Sequence, residues 1–405
     1  MLLMLDQPTR TSAGNRKGAP RWLPLIALVA AQLGACTSAD LTAPAPCVGE
    51  CVPAPGGPWV NGYYVGYQRA LYPEQTIDFS ALTHITVARL RPLPSGAITT
   101  DFDIDDVDGP LMARNIAALA HRAGRKAILM LGGAGEHSGF VGAAAPAIRP
   151  SLVRNLLKAM SDFGYDGIDV DWEPMDAADQ GPLLALLRDL RAARPGMIIT
   201  LPVGFESASI AALGPWYRDA AAVVDQMNMM TYDMAGAWTG WVSWHSSALG
   251  DSQPDHPTSV TSTAAAYIAA GVPAGRLGIG IPFYGACWRG VSGPRQVLAP
   301  GADIYAADNA MSYTNILSQY YAAAARRWDA AGSVPYLSFR SGTGPESCTF
   351  ISYEDEQSVA MKGAFVKSRS LGGAVVWTIN QGHLPLAPVG QQDPLLKAAY
   401  TAIVQ

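Results

Sequence analysis

The chain has 405 residues, 49% of them hydrophobic and only 15% charged, against roughly 25% charged in an ordinary soluble domain. That balance excludes a disordered chain, which needs low hydrophobicity and high net charge. With 28 basic and 33 acidic residues the net charge is -5, which is no footprint for a polyanion and argues against nucleic acid as a partner.

In chain order, the first segment is not part of the fold. Arg10, Arg16, Lys17 and Arg21 precede an apolar run from Leu23 to Leu33 that is too short to span a bilayer and ends in small residues. Residues 1–35 therefore read as a signal peptide. Leu33-Gly34-Ala35-Cys36 resembles the lipobox of bacterial lipoproteins, which implies cleavage before Cys36 and its lipidation. The expected location is the outer membrane or cell surface, held through that lipid only, with plain secretion as the alternative.

Residues 36–57 are rich in Pro and Ala, cannot bury a core, and should form an extended tether. Setting Cys36 aside leaves four cysteines in an exported chain, an even number that favours disulfides. Cys47 and Cys51 sit close together in the tether and pair locally, which leaves Cys287 with Cys348. A zinc site is the competing use, but the tether is flexible and the histidines do not fall at ligand spacing. No metal and no cofactor is expected.

From residue 58 to 402, short apolar or β-branched runs alternate with helical patterns. The runs fall at 59–66, 82–90, 126–132, 166–172, 197–203, 225–231, 277–283 and 373–379. Eight strands alternating with helices predict an α/β fold, the TIM (β/α)8 barrel. Leu152, Leu156 and Met160 recur at helical spacing with Gly164 as a stop, and the helix around Leu183–Leu190 ends at Pro195-Gly196. The connection between strands seven and eight is too long to be structureless, so residues 288–350 should form an inserted subdomain, with a helix over Asn315–Trp328 and a strand over Val334–Phe339. A Cys287–Cys348 bond would close it at its base.

The chemistry concentrates on the fourth strand. In Asp166-Gly167-Ile168-Asp169-Val170-Asp171-Trp172-Glu173 the carboxylates at 169, 171 and 173 alternate with apolar residues. On a strand all three share one face, with successive Cα atoms on it roughly 6–7 Å apart. Burying so much like charge is costly, and the three cannot all ionise comfortably. At least one should stay protonated near neutrality, as a general acid requires.

These eight residues fit the D-x-x-D-x-D-x-E signature, and the chain is thereby similar to the family 18 glycoside hydrolases, the chitinases. Gln226–Asp233 resembles the family's sixth strand with its M-x-Y-D ending, followed by Gly236 and Trp238; Gly278–Gly285 resembles the seventh strand and Gly372–Trp377 the eighth. Tyr353, Asp355, Ser358 and Lys362 match the pattern before the last strand, and the insertion is similar to the family's small α+β subdomain. The resemblance implies a retaining reaction on chitin or chito-oligosaccharide in which the substrate's acetamido group is the nucleophile, an exception to the two-carboxylate rule. It assigns the acid/base role to Glu173, acetamide orientation to Asp171 with Asp169 sharing its proton, and a structural role to Asp166. Tyr232 would bond the acetamide oxygen, beside Met230 and Asp233. Trp377 would floor the cleavage subsite, Trp238 would stack on the leaving-group side, Tyr63 would approach Asp169, and Tyr284 would join the substrate-binding set. A monomer is expected.

The chain also departs from the family. Its third strand ends Met130-Leu131-Gly132-Gly133 instead of S-x-G-G, which removes a hydroxyl expected to support Asp169. Pro174 follows the acid where Tyr is common, and Arg89 stands where an apolar ring is expected. Two alternatives stay open: an endo-β-N-acetylglucosaminidase acting on N-glycans, and a catalytically weak chitin-binding lectin. Asp101, Asp103 and Asp105 imitate an EF-hand without its Gly and Glu and read as a solvated loop. Gly133-x-Gly135 reads as a sugar-facing turn, and His84, His137 and His245 as structural.

Overall fold

Alternation of inward and outward side chains explains how the apolar runs become strands. A computed structural model describes residues 57–206, 213–305 and 308–405. The signal segment, Cys36, Cys47 and Cys51 lie outside the described residues. The strands of the first half are β1 (Trp59–Val65), β2 (His84–Pro92), β3 (Ile98–Thr99), β4 (Lys126–Gly133), β5 (Gly167–Trp172), β6 (Ile198–Gly204) and β7 (Gln226–Met230). β8 (Leu277–Pro282) and β14 (Gly373–Trp377) complete the barrel. Each barrel strand pairs in parallel with the next, and β1 pairs with both β2 and β14, so eight strands close on themselves. The short β3 only turns back against the end of β2.

Every second residue of these strands faces outward into one large apolar core, to which Ile168, Val170, Ile199, Leu201, Met227 and Met229 contribute. The helices that cover this face are α1 (Asp108–Arg122), α2 (His137–Ala143), α3 (Arg149–Phe163), α4 (Gln180–Ala193), α5 (Trp216–Ala221) and α6 (Val260–Ala269). α3 stops where expected, at Gly164 with φ 78°, a left-handed conformation that glycine adopts without a Cβ clash. The inward residues form a second, smaller cluster of Tyr63, Val65, Ala88, Met130 and Val375, against which Trp377 packs.

Between β8 and β14 the chain builds a five-stranded antiparallel sheet in the order β10-β9-β13-β12-β11. Its members are β9 (Ala286–Arg289), β10 (Asp303–Tyr305), β11 (Arg326–Asp329), β12 (Val334–Thr343) and β13 (Cys348–Ser352). The helix expected over Asn315–Trp328 is corrected: α7 covers only Tyr313–Gln319, and Arg326–Asp329 pairs with Val334–Leu337 as a hairpin. Cys287 and Cys348 are joined, with Cα atoms 5.2 Å apart. After the insertion come α8 (Glu356–Ser368), α9 (Ile379–Gly382) and α10 (Pro394–Val404). Asp355 caps α8 by accepting from the Ser358 amide, and the fully buried Lys362 ammonium donates to Glu354 at 2.6 Å. Asp355, Ser358 and Lys362, which matched the pattern before the last strand, therefore hold this helix. Among the described residues no helix is long and apolar enough to cross a membrane.

Candidate active site

β5 carries its acids inward, as the period of two requires. Asp169 is fully buried, Asp171 is nearly so, and Glu173 follows directly after the strand, half-buried. Asp166 sits at the opposite end, where it accepts from the Ala127 amide at 2.9 Å, the Lys126 ammonium at 2.9 Å and His121 Nε2 at 2.8 Å. Burial raises its proton affinity, but these partners outweigh that and hold its carboxyl below the usual range. Asp166 thus anchors the strand and stays away from the chemistry.

The three inward acids behave in the opposite way. Burial pushes Asp169 up to about 7, against hydrogen bonds from Thr200 and Tyr63 that favour its charged form. Burial, with the charges of Asp169 and Asp233, lifts Glu173 to about 7. Asp171 is raised well above the carboxylate range by burial and then by Glu173 and Asp169, with Arg89 opposing. Near neutral pH the cluster therefore holds protons that free carboxylates would have lost. Asp171 Oδ1 is buried and has no hydrogen-bond partner within the protein.

The surrounding groups come from other strand ends. From β1, Tyr63 Oη donates to Asp169 Oδ2 at 2.9 Å. Tyr232 lies two residues past the end of β7; burial and the charges of Glu173 and Asp171 keep its hydroxyl protonated. A Cβ on Gly280 would come within 2.8 Å of the Tyr232 ring, so glycine there makes room for it. Next in sequence, Asp233 accepts from Tyr284 Oη at 2.8 Å and is pushed by burial up to about 6. The Tyr232 and Tyr284 rings meet edge-to-face at 6.1 Å. Met230, the last residue of β7, is half-buried. Trp377, half-buried at the end of β14, lies 5.4 Å from the Tyr63 ring centre. Trp238 is 43% exposed and meets Trp241 edge-to-face at 4.5 Å.

Three features escaped sequence reading. First, Asp169 is not left without a hydroxyl: Thr200 Oγ1 of β6 donates to its Oδ1. Thr200 faces Asp169 in cross-strand register, information that a single apolar run does not carry. Second, Arg89 of β2 is tied down, its Nε 2.9 Å from Asp103 Oδ2 and its Nη1 3.5 Å from Glu136 Oε1, and Arg91 pairs with Asp101. Asp101 and Asp103 are thus arginine partners, which corrects the solvated-loop reading; Asp105 accepts from the Val107 and Asp108 amides. Third, His137 Nε2 lies 3.0 Å from Asp179 and 3.9 Å from Asp176. The same Asp179 oxygen accepts from the Asp176 amide at 2.7 Å, so this set closes the turn that leads into α4. His84 stacks on Trp59 at 3.7 Å, and His245 bonds to Asp329 at 3.0 Å inside the protein, both in structural settings.

Comparison with known proteins agrees with this geometry. The chain is 30% identical over 269 residues to Chitinase A1 of Niallia circulans, covering 59% of this chain and 38% of that relative. It is 26% identical over 371 residues to Chitinase B of Serratia marcescens, covering 75% and 73%. The fold superposes on the Ostrinia furnacalis Group IV chitinase with a TM-score of 0.71 at 22% identity, over 86% of this chain and 100% of that one. The model of the glycosyl hydrolases family 18 matches residues 60–382. The chain belongs to that family.

Proposed function

We propose that the protein is a chitinase that hydrolyses β-1,4 bonds between N-acetylglucosamine units with retention of configuration. The observation that carries this reading is the set of inward-facing acids brought together along β5 and just after it, Asp169 and Asp171 buried and Glu173 half-buried, with Tyr63 donating to Asp169. Glu173, held near 7, gives its proton to the glycosidic oxygen as that bond breaks. The substrate's acetamido oxygen attacks the anomeric carbon and forms an oxazolinium ion, so no protein carboxylate becomes covalently attached. Asp171 orients the acetamide and stabilises the cation, passing its proton to and from Asp169, and Tyr232 donates to the acetamide oxygen. Glu173, now a carboxylate, takes a proton from water as water opens the ring. The Trp377 and Trp238 faces supply stacking platforms for sugar rings.

The E173Q variant tests the assignment. Glutamine keeps the shape and cannot donate the proton, so turnover of chitin hexaose should fall by a factor of 10³ or more while oligosaccharide binding persists. Retained hydrolysis by E173Q would overturn the acid/base role. Dimer release from the hexaose supports the chitinase reading, whereas glycan release from a high-mannose glycoprotein favours the endo-β-N-acetylglucosaminidase. We also propose that the chain is exported as a monomer carrying lipid on Cys36. C36S should abolish incorporation of labelled fatty acid; equal labelling would show that Cys36 is not the modified residue.

A further inference from the structure

Asp169 is flanked on its own level by one residue from each neighbouring strand: Met130 on β4 and Thr200 on β6. Asp169 and Thr200 are wholly buried and Met130 is 1% exposed, so water does not reach the inner acid from either side. The Met130 thioether has no proton to donate, and it packs into the apolar cluster with Tyr63, Val65 and Ala88. Thr200 Oγ1 donates to Asp169 Oδ1, while Tyr63 Oη donates to Oδ2 at 2.9 Å. We infer that in this chain the hydroxyl that holds the inner acid stands on β6 and not on β4, and that Thr200 is the positioning residue for Asp169. The inference rests on the glycosidase reading above.

A carboxylate that accepts a donor on each oxygen has its plane fixed and its charged form favoured. That is the state in which Asp169 can receive and return the proton of Asp171. Without the Thr200 donor, Oδ1 faces an apolar wall, and Asp169 either keeps a proton of its own or turns away from its place. Both outcomes obstruct the exchange. The titratable groups around Asp169 are Asp171 on the same strand and Glu173 just after it, Tyr63 from β1 and Tyr232 after β7, with Arg89 of β2 acting on Asp171. At this level β4 and β6 supply only Met130 and Thr200.

The test compares wild type, T200V, T200S and the double variant M130S/T200V on chitin hexaose, with kcat and KM followed across pH and folding checked by thermal unfolding. Valine keeps the shape of threonine without its hydroxyl. T200V should lose about tenfold to a hundredfold in kcat with KM little changed, and the acid limb of its kcat/KM profile should move to higher pH, because the aspartate pair holds its second proton longer. T200S should stay near wild type, and M130S should recover part of the loss in T200V. Wild-type kinetics in T200V, or equal impairment of T200S and T200V, would overturn the inference, as would a double variant no better than T200V. If the wild type cleaves no chitin, the chitinase reading itself fails. In that case carboxyl NMR still decides on Thr200: a higher apparent Asp169 pKa in T200V supports its donor role, and an unchanged one removes it.

Discussion

Arg89 shows how one side chain can set the working range of a cluster. Its guanidinium is neutralised by Asp103 and Glu136, yet it still opposes the rise in proton affinity of Asp171. A cation favours the charged form of a carboxyl, so removing it lets Asp171 hold its proton to higher pH. R89M should shift the acid limb of kcat/KM upward, and a pH–rate profile identical to wild type would show that the two anions already cancel Arg89. At this scale the sequence was legible where chemistry repeats in a short window: Asp169, Asp171 and Glu173 needed only the alternation along a single strand. Thr200 and the partners of Arg89 were not, because each meets its target across two segments. Asp103 lies 14 residues from Arg89, and Thr200 lies 31 residues from Asp169. Read alone, a threonine in an apolar strand is an ordinary β-branched residue.

The barrel strands lie within two residues of where hydrophobic runs place them, because parallel strands covered on both faces read as such runs. The insertion was harder. Ala322–Ala325 lengthens the helical pattern after α7, but Arg326–Asp329 is recruited by Val334–Leu337 into a hairpin, and tertiary pairing overrides local propensity. The Cys287–Cys348 bond ties β9 to β13 across a sequence separation of 61. In the chain-entropy model a loop of that length gives stabilisation of about 4 kcal/mol. The C287A/C348A double variant should therefore unfold at lower temperature than the oxidised wild type, and reductant should lower the wild-type midpoint while leaving the variant unmoved. A midpoint insensitive to both changes would mean that the sheet holds the insertion without the bond.

Across the whole molecule, the acids that serve the proposed chemistry work against the fold at neutral pH. Asp169 and Glu173 are raised to about 7 and Asp233 to about 6, above their ordinary values of 3.8, 4.5 and 3.8. Between about pH 4 and 7 the folded chain binds more protons at these sites than the unfolded one, so their contribution to stability falls as pH rises through that window. E173Q should therefore melt higher than wild type at pH 8, with the difference shrinking toward pH 4; a lower midpoint at pH 8 would contradict this balance. The strict alternation along β5 has one more consequence, for how the chain finds its native pairing. Sliding β5 by a single residue would exchange Asp169 and Asp171 with Ile168 and Val170, driving carboxylates into the apolar layer beneath the helices. Each misplaced charge costs several kcal/mol unless it finds a partner. The residues proposed to cut the polymer thus also act as a key against misthreading, and a strand with all of them replaced by apolar side chains would lose its defence against a shifted barrel.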